Sequence, residues 1–223
     1  MTKILAIDAS TESCSAALLI NEQVYERSEV IPRKHTELIL PMVDEVLAEG
    51  GLSLNQLDAL AFNRGPGSFT GVRVSTSVTQ GLAFAIDLPV IPVSGLAAVA
   101  QGAWRNTRQE NFLVVLDARM KEVYWACYQY QPGSMKLLGE EHVSPVTAIS
   151  KPGAGEWLAV GNGVSVYNKE MSVLAGTAGV VLSTDTALPQ ARDVVELAKS
   201  EYEVGNTVSA MDAQPTYLRD KVV

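Results

Sequence analysis

Hydrophobic and polar positions repeat with two periods along this chain, and the pattern predicts a mixed α/β protein. Short apolar or alternating runs bounded by turn residues predict strands, and apolar residues spaced at i, i+4 predict helices. The elements predicted for the first half are strands at 3–8, 14–20 and 23–30, a helix at 34–49, a strand at 59–62, a helix from the N-cap Thr70 to 86, a strand at 89–93 and a helix from the N-cap Ser94 to about 104.

The same βββαβαβα order recurs in the second half. The predicted elements there are strands at 112–118, 122–130 and about 134–141, a short helix at 144–150, a strand at 157–160, a helix near 164–171, a strand at 178–182 and a long helix at 186–202. In both halves Asp-Ala follows the first strand, at Asp8 and at Asp117. Repeated order predicts two related lobes, 1–105 and 106–208, with the tail 209–223 packing back on the first.

A glycine-rich loop joins the central strand to its helix. It contains Gly65, Pro66, Gly67, Ser68, Phe69 and Thr70. A loop of this kind before a helix N-terminus favours an anion, but glycines also serve a tight strand-to-helix turn, and both interpretations stay open. The loop lacks the Gly-Lys-Ser/Thr of a Walker A motif. It also lacks the spacing of a nucleophile elbow, because Pro66 stands where the first glycine would be.

The helix at 34–49 has an apolar stripe wider than a single contact needs, and Pro41 inside it predicts a kink or a late start. The helix at 71–86 combines apolar positions with small side chains that permit close approach. The stripe either packs on the domain's own sheet or also contacts another subunit. The residues predicted to form such an interface are Leu38, Ile39, Met42, Val43, Val46, Val74, Val78 and Leu82.

Composition narrows the function classes. Seventeen Lys and Arg against 25 Asp and Glu give a net charge of −8. A protein that holds nucleic acid by itself normally has a basic face, so any role near RNA predicts a partner that holds the RNA. Cys14 and Cys127 fit reduced thiols, and the N-terminal apolar run is too short for a signal peptide or a membrane span. We therefore expect a soluble cytoplasmic protein.

Few side chains have the setting of a catalytic group. Asp8 and Asp117 follow apolar strands, where a carboxylate binds a cation or caps the next turn. The lack of glycine after Asp8 favours the cap. The two histidines, His35 and His142, have no partner at helical spacing, so we predict no metal site. Composition leaves a Ser-His-Asp triad open, although no serine has a recognisable nucleophile context.

Four segments of the chain resemble the TsaB (YeaZ) family, the small paralogue in bacterial threonylcarbamoyladenosine tRNA modification. The segments are ILAIDASTESCSAAL, RKHTELILPMVDEVL, NRGPGSFTGVRV and QPTYLRDK, spread over nearly the whole chain. The resemblance implies a two-lobed ASKHA fold, of the actin-like ATPase and ribonuclease H-like type. It also implies a non-catalytic subunit that binds and activates the catalytic paralogue, TsaD, through the helices at 34–49 and 71–86.

The resemblance further implies a third subunit, the ATPase TsaE, self-pairing when the chain is alone, and contact with tRNA only through the complex. ATP or ADP at the junction with the partner would meet the loop 65–70. The metal-binding His-x-x-x-His of TsaD is absent from this sequence, so its chemistry is not carried over. The alternative function is a stand-alone ATPase or hydrolase, glycoprotease-like (peptidase M22), that uses Asp8, Thr11 and residues 65–70.

Overall fold

The computed structural model describes residues 2–31, 34–150 and 153–219 and divides into two compact units. One unit contains the chain up to Ala98 together with Pro189–Thr216. The other contains Val99–Leu188 with the residues after Thr216. Each unit is built around one five-stranded sheet with helices, which confirms the predicted α/β fold class.

The first unit has the sheet order β3-β2-β1-β4-β5. Its elements are β1 (Lys3–Asp8), β2 (Ser13–Ile20), β3 (Gln23–Val30), α1 (His35–Glu49), β4 (Ala59–Asn63), α2 (Phe69–Ile86) and β5 (Val90–Val93). Strands β1 to β3 are antiparallel, whereas β4 and β5 run parallel to β1. Alternate residues of this sheet, such as Leu5 and Ile7, pack with α1 in the core.

The second unit has the sheet order β10-β9-β6-β7-β8. The remaining elements are α3 (Gly95–Thr107), β6 (Asn111–Asp117), β7 (Glu122–Gln131), β8 (Ser134–Pro145), β9 (Trp157–Val160), α4 (Asn162–Val166), α5 (Asn168–Ala178), β10 (Val180–Leu182) and α6 (Ala191–Glu203). Here too the first three strands, β6 to β8, are antiparallel and the last two are parallel to the first. The two sheets therefore repeat one strand arrangement, as the doubled element order predicts.

Helix α6 lies in the first unit, whereas its place in the sequence assigns it to the second lobe. It contacts β1, β2 and β4, and the Ala191 amide donates to the Ser15 hydroxyl at 2.9 Å. Ser15 alternates along β2 with Cys14 and Ala16, which belong to the core that contains α1. Helix α6 therefore covers the face of the first sheet opposite α1.

Several boundaries differ from those predicted. Helix α1 begins at His35, so Pro41 does not delay its start, and α6 begins at Ala191, after Pro189. Strand β8 extends to Pro145, and the short helix expected at 144–150 is a single 3₁₀ turn, Val146–Ala148. The helix expected near 164–171 is two helices, α4 and α5, which meet at Tyr167.

The C-terminal segment reaches the first unit through backbone and side-chain hydrogen bonds. Val208 pairs with Val90 at the edge of β5, the Gln80 amide donates to the Ala213 carbonyl, and the Thr216 amide donates to the Arg64 carbonyl at 2.8 Å. Of the segment 209–223 that we expect to pack on the first lobe, residues 209–216 belong to the first unit, residues 217–219 belong to the second, and residues 220–223 lie outside the described residues.

Candidate partner-binding groove

The glycine loop packs against the turn between β1 and β2. The Ser68 amide donates to the Ser10 carbonyl at 2.7 Å. A Cβ on Gly67 would lie 2.4 Å from the Ser10 carbonyl oxygen, and one on Gly71 would lie 2.0 Å from that of Ala9. Any side chain at either glycine would therefore collide with backbone. These glycines are explained by close packing of one backbone segment on another.

Two amides of the loop, and one in the first turn of α2, donate to other groups of the protein. Gly65 donates to the Asn63 side-chain oxygen at 2.9 Å, Ser68 donates to Ser10, and Gly71 makes a long contact of 3.5 Å with the Ser68 hydroxyl. Ser68 is thus the N-cap of α2, and the prediction of Thr70 was wrong. Because both residues are good N-caps, the sequence did not distinguish them.

Asp8 is enclosed by the same turn. Its carboxylate accepts from the Ser10 amide at 2.8 Å and from the Asn63 side-chain amide at 3.1 Å. Burial raises the pKa of Asp8 to about 6, although hydrogen bonds to Ser10 and Asn63 oppose the rise. Asp117 accepts similarly from the Arg119 amide at 2.9 Å. Both carboxylates therefore cap the turn that follows their strand.

The face of α2 towards the sheet is made of small and polar residues. The buried positions are Gly71, Val72, Ser75, Thr76, Thr79 and Ala83. The Ser75 hydroxyl accepts from the Ala9 amide at 2.8 Å, and the Thr76 hydroxyl donates to the Val72 carbonyl at 2.9 Å. Since small side chains let the helix approach the sheet closely, larger apolar residues of α2 lie at its edge.

An open, mostly apolar groove of about 390 Å³ lies between α1 and α2. Its lining residues are Thr36, Ile39, Leu40, Phe69, Thr70, Arg73, Val74, Ser77 and Val78. Leu40 is 46% exposed and Phe69 is 41% exposed. The Arg73 guanidinium lies 3.5 Å from the centre of the Phe69 ring. A groove that exposes large apolar side chains is typical of a surface that binds another protein.

Known proteins resemble the chain over nearly its full length. The family described as "TsaD: tRNA N6-adenosine threonylcarbamoyltransferase" matches residues 19–223. The tRNA threonylcarbamoyladenosine biosynthesis protein TsaB of Haemophilus influenzae is 43% identical, over 98% of this chain and 94% of that protein. TsaB of Escherichia coli is 42% identical, over 99% and 96%.

Solved structures agree with the sequence comparison. YeaZ from Pseudomonas aeruginosa has a TM-score of 0.91 and 44% identity, with 98% of this chain and 100% of that chain covered. The chain belongs to the TsaB (YeaZ) family. The segments that carry the TsaB resemblance include α1 and the start of α2, which supply lining residues of the groove.

The groove contains part of the residue set predicted for the interface. Ile39, Val74 and Val78 line it, and so do Phe69 and Thr70 of the loop. The other loop residues are placed differently: Gly65 and Pro66 are buried, Gly67 is half-buried and Ser68 is exposed.

The other predicted interface residues pack inwards. Met42, Val43 and Val46 are buried in the first unit's core, and Leu38 and Leu82 are half-buried against it. Sequence reasoning missed Thr36, Leu40, Arg73 and Ser77. Leu40 could have been identified from the sequence, because an apolar residue of a helix that lies outside the i, i+4 stripe is a candidate for an exposed contact surface.

The two histidines are not among the groove's lining residues. His35 begins α1, and its Nε2 has no hydrogen-bond partner in the part of the chain that the structure describes. His142 stacks on Trp125, with ring centres 4.6 Å apart. Among the described residues, no group of three or more His, Cys, Asp or Glu side chains is placed to hold a metal ion. No helix in the described ranges is long and apolar enough to cross a membrane.

Proposed function

We propose that this chain is a non-catalytic subunit of the tRNA threonylcarbamoyladenosine modification machinery and that it binds and activates the catalytic paralogue TsaD. The names of its relatives support a role in tRNA threonylcarbamoyladenosine biosynthesis. The match to the TsaD family supports a partner of related fold. The observation that carries the proposal is the apolar groove between α1 and α2.

Pairing through this groove follows from the relationship between the two proteins. A paralogue with the same fold would present equivalent helices, so the two could meet around a pseudo-twofold axis. Leu40 and Phe69 are exposed in the free chain and would be removed from water in the pair. Because α1 packs on the sheet through Ile39, Val43 and Val46, the partner would meet a preformed surface and lose little affinity to ordering.

The alternative, a stand-alone ATPase or hydrolase, receives less support from the geometry. It requires Asp8, Thr11 and the loop 65–70 to receive a phosphate or another substrate. Asp8 is fully buried and bonded to the turn, and the Thr11 hydroxyl accepts from the Ser13 amide at 3.2 Å. Gly67 and Gly71 leave no room between loop and turn for a further group.

The rest of the proposed assembly follows from the family. We propose that TsaE joins the pair, that ATP or ADP at the junction meets the exposed end of the loop, and that the chain pairs weakly with its own copy when TsaD is absent. The net charge of −8 supports tRNA contact through the complex rather than through this chain alone. The site of action would be the cytoplasm.

The test is association with TsaD, measured by light scattering after size exclusion and by titration calorimetry. Leu40→Glu places a charge in the groove, and burying it without a partner should weaken pairing by at least tenfold. Because Leu40 is 46% exposed, the variant should fold. Val204→Glu is the matched control, since Val204 is 77% exposed at the end of α6, on the opposite side of the sheet.

Two results would contradict the proposal. Equal affinity of Leu40→Glu and Val204→Glu for TsaD would remove the groove from the interface. ATP hydrolysis by the purified chain alone, together with no association, would favour the stand-alone enzyme. Threonylcarbamoyl transfer by TsaD, assayed with and without the chain, tests activation separately from binding.

A further inference from the structure

A row of exposed side chains on α1 borders the groove. Glu37, Leu40 and Asp44 lie at i, i+3 and i+7, so they follow one another along the same face of the helix. Leu40 lines the groove, and both acids beside it are exposed. The groove therefore has an apolar wall with a carboxylate on each side of its most exposed apolar residue.

The acids of α1 fall into two pairs. Glu45 and Glu49 both form ion pairs with Arg27 on β3, with N–O distances of 2.8 and 2.7 Å. Among the ion pairs of the described residues, none includes Glu37 or Asp44. Within the described part of the chain, the two acids that border the groove are thus the two acids of α1 without an ion pair.

Helix α2 adds little charge to the opposite wall. Arg73 is its one charged residue in Phe69–Ile86, and its guanidinium stacks on Phe69. If a second copy of the chain occupied the groove, its α1 would bring another Glu37 and Asp44 to the interface, and each copy would supply only one arginine from α2. Like charges across an interface are unfavourable, whereas a basic helix would complement the row.

We infer that the groove accepts an amphipathic helix of the partner that carries Lys or Arg beside its apolar face. Two cationic side chains about two turns apart, roughly 10 Å along the helix, would match the spacing of Glu37 and Asp44. The inference rests on the proposed function and deepens it, because it states which chemistry the groove selects. The acidic row favours the paralogue over a second copy of the chain.

The experiment is a double charge reversal in the full chain, Glu37→Lys with Asp44→Lys, titrated with TsaD at 50 and 500 mM NaCl. The matched control, Glu29→Lys with Glu203→Lys, makes the same change in net charge at two exposed acids on β3 and α6. At low salt we expect the groove variant to bind TsaD about tenfold more weakly than the native chain does. The control should lose much less affinity.

Salt and self-association supply the remaining readouts. High salt should bring the groove variant close to the native chain, because screening removes the contribution of the charge pairs. Self-association of the groove variant, measured by light scattering, should equal or exceed that of the native chain. An equal loss of affinity for TsaD in the groove variant and in the control would indicate that only the net charge of the chain matters, and this would overturn the inference.

Leu40→Glu separates failure of the inference from failure of the proposed function. If Leu40→Glu abolishes pairing while the double reversal leaves it unchanged, the groove binds its partner without the acidic row, and the inference alone is wrong. If neither substitution affects pairing, the groove is not the interface, and both are wrong. A reversal that alters only self-association would make a second copy the occupant and would also overturn the inference.

Discussion

The pH dependence of the first unit's stability tests the environment of Asp8. Burial raises the pKa of this carboxyl from 3.8 to about 6. A carboxyl with a higher pKa in the folded state binds more protons when folded, so its contribution is fully present below about pH 4 and is lost as pH rises through about 6. The difference corresponds to about 3 kcal/mol, of which about 1 kcal/mol falls between pH 5 and pH 7.

The measurement is native-state hydrogen exchange of the β1 amides at pH 5 and pH 7, corrected for intrinsic rates, in the native chain and in Asp8→Asn. The opening free energy of β1 should fall by about 1 kcal/mol more in the native chain than in the variant as pH rises. Amides of β6, in the other unit, should show the same pH dependence in both proteins. An identical pH dependence of β1 in the two proteins would refute the reasoning.

Three further substitutions test packing in the first unit. Gly71→Ala should destabilise it by several kcal/mol, because the new Cβ would lie 2.0 Å from a backbone oxygen, whereas Gly81→Ala, with no atom within 4 Å, should stabilise α2 by up to about 1 kcal/mol. Similar midpoints in urea denaturation would contradict this difference. Val46→Glu buries a charge in the core and should unfold the unit, seen as loss of β1 exchange protection, and a folded variant would show that this position is not core.

The interface prediction shows what periodicity can and cannot establish. Apolar spacing identified α1 correctly, but every apolar residue contributes equally to such a pattern. Met42 and Val46 belong to the core, while Leu40, which lies outside the stripe, is the exposed apolar residue that α1 contributes to the groove. Introducing a charge at Met42 or Val46 would therefore report unfolding rather than loss of a partner contact.

The loop and the last helix show a second limit. The pattern placed strand, glycine loop and helix correctly, yet the need for Gly67 and Gly71 comes from the backbone of Ala9 and Ser10, far away in sequence. Helix α6 follows the strands of the second unit in the sequence, yet it packs on the sheet of the first unit. Only the tertiary structure selects the first, where Ser15 bonds to its N-terminus.

The sequence by itself determined the α/β class, the doubled strand order and the family, because periodicity and local motifs are properties of neighbouring residues. The tertiary structure decided which apolar residues form the core, which line the groove and which acids of α1 pair with a basic residue. Those properties depend on distances between residues far apart in the chain, as between Arg27 and Glu49. For this reason the groove and its acidic row became visible only in the folded protein.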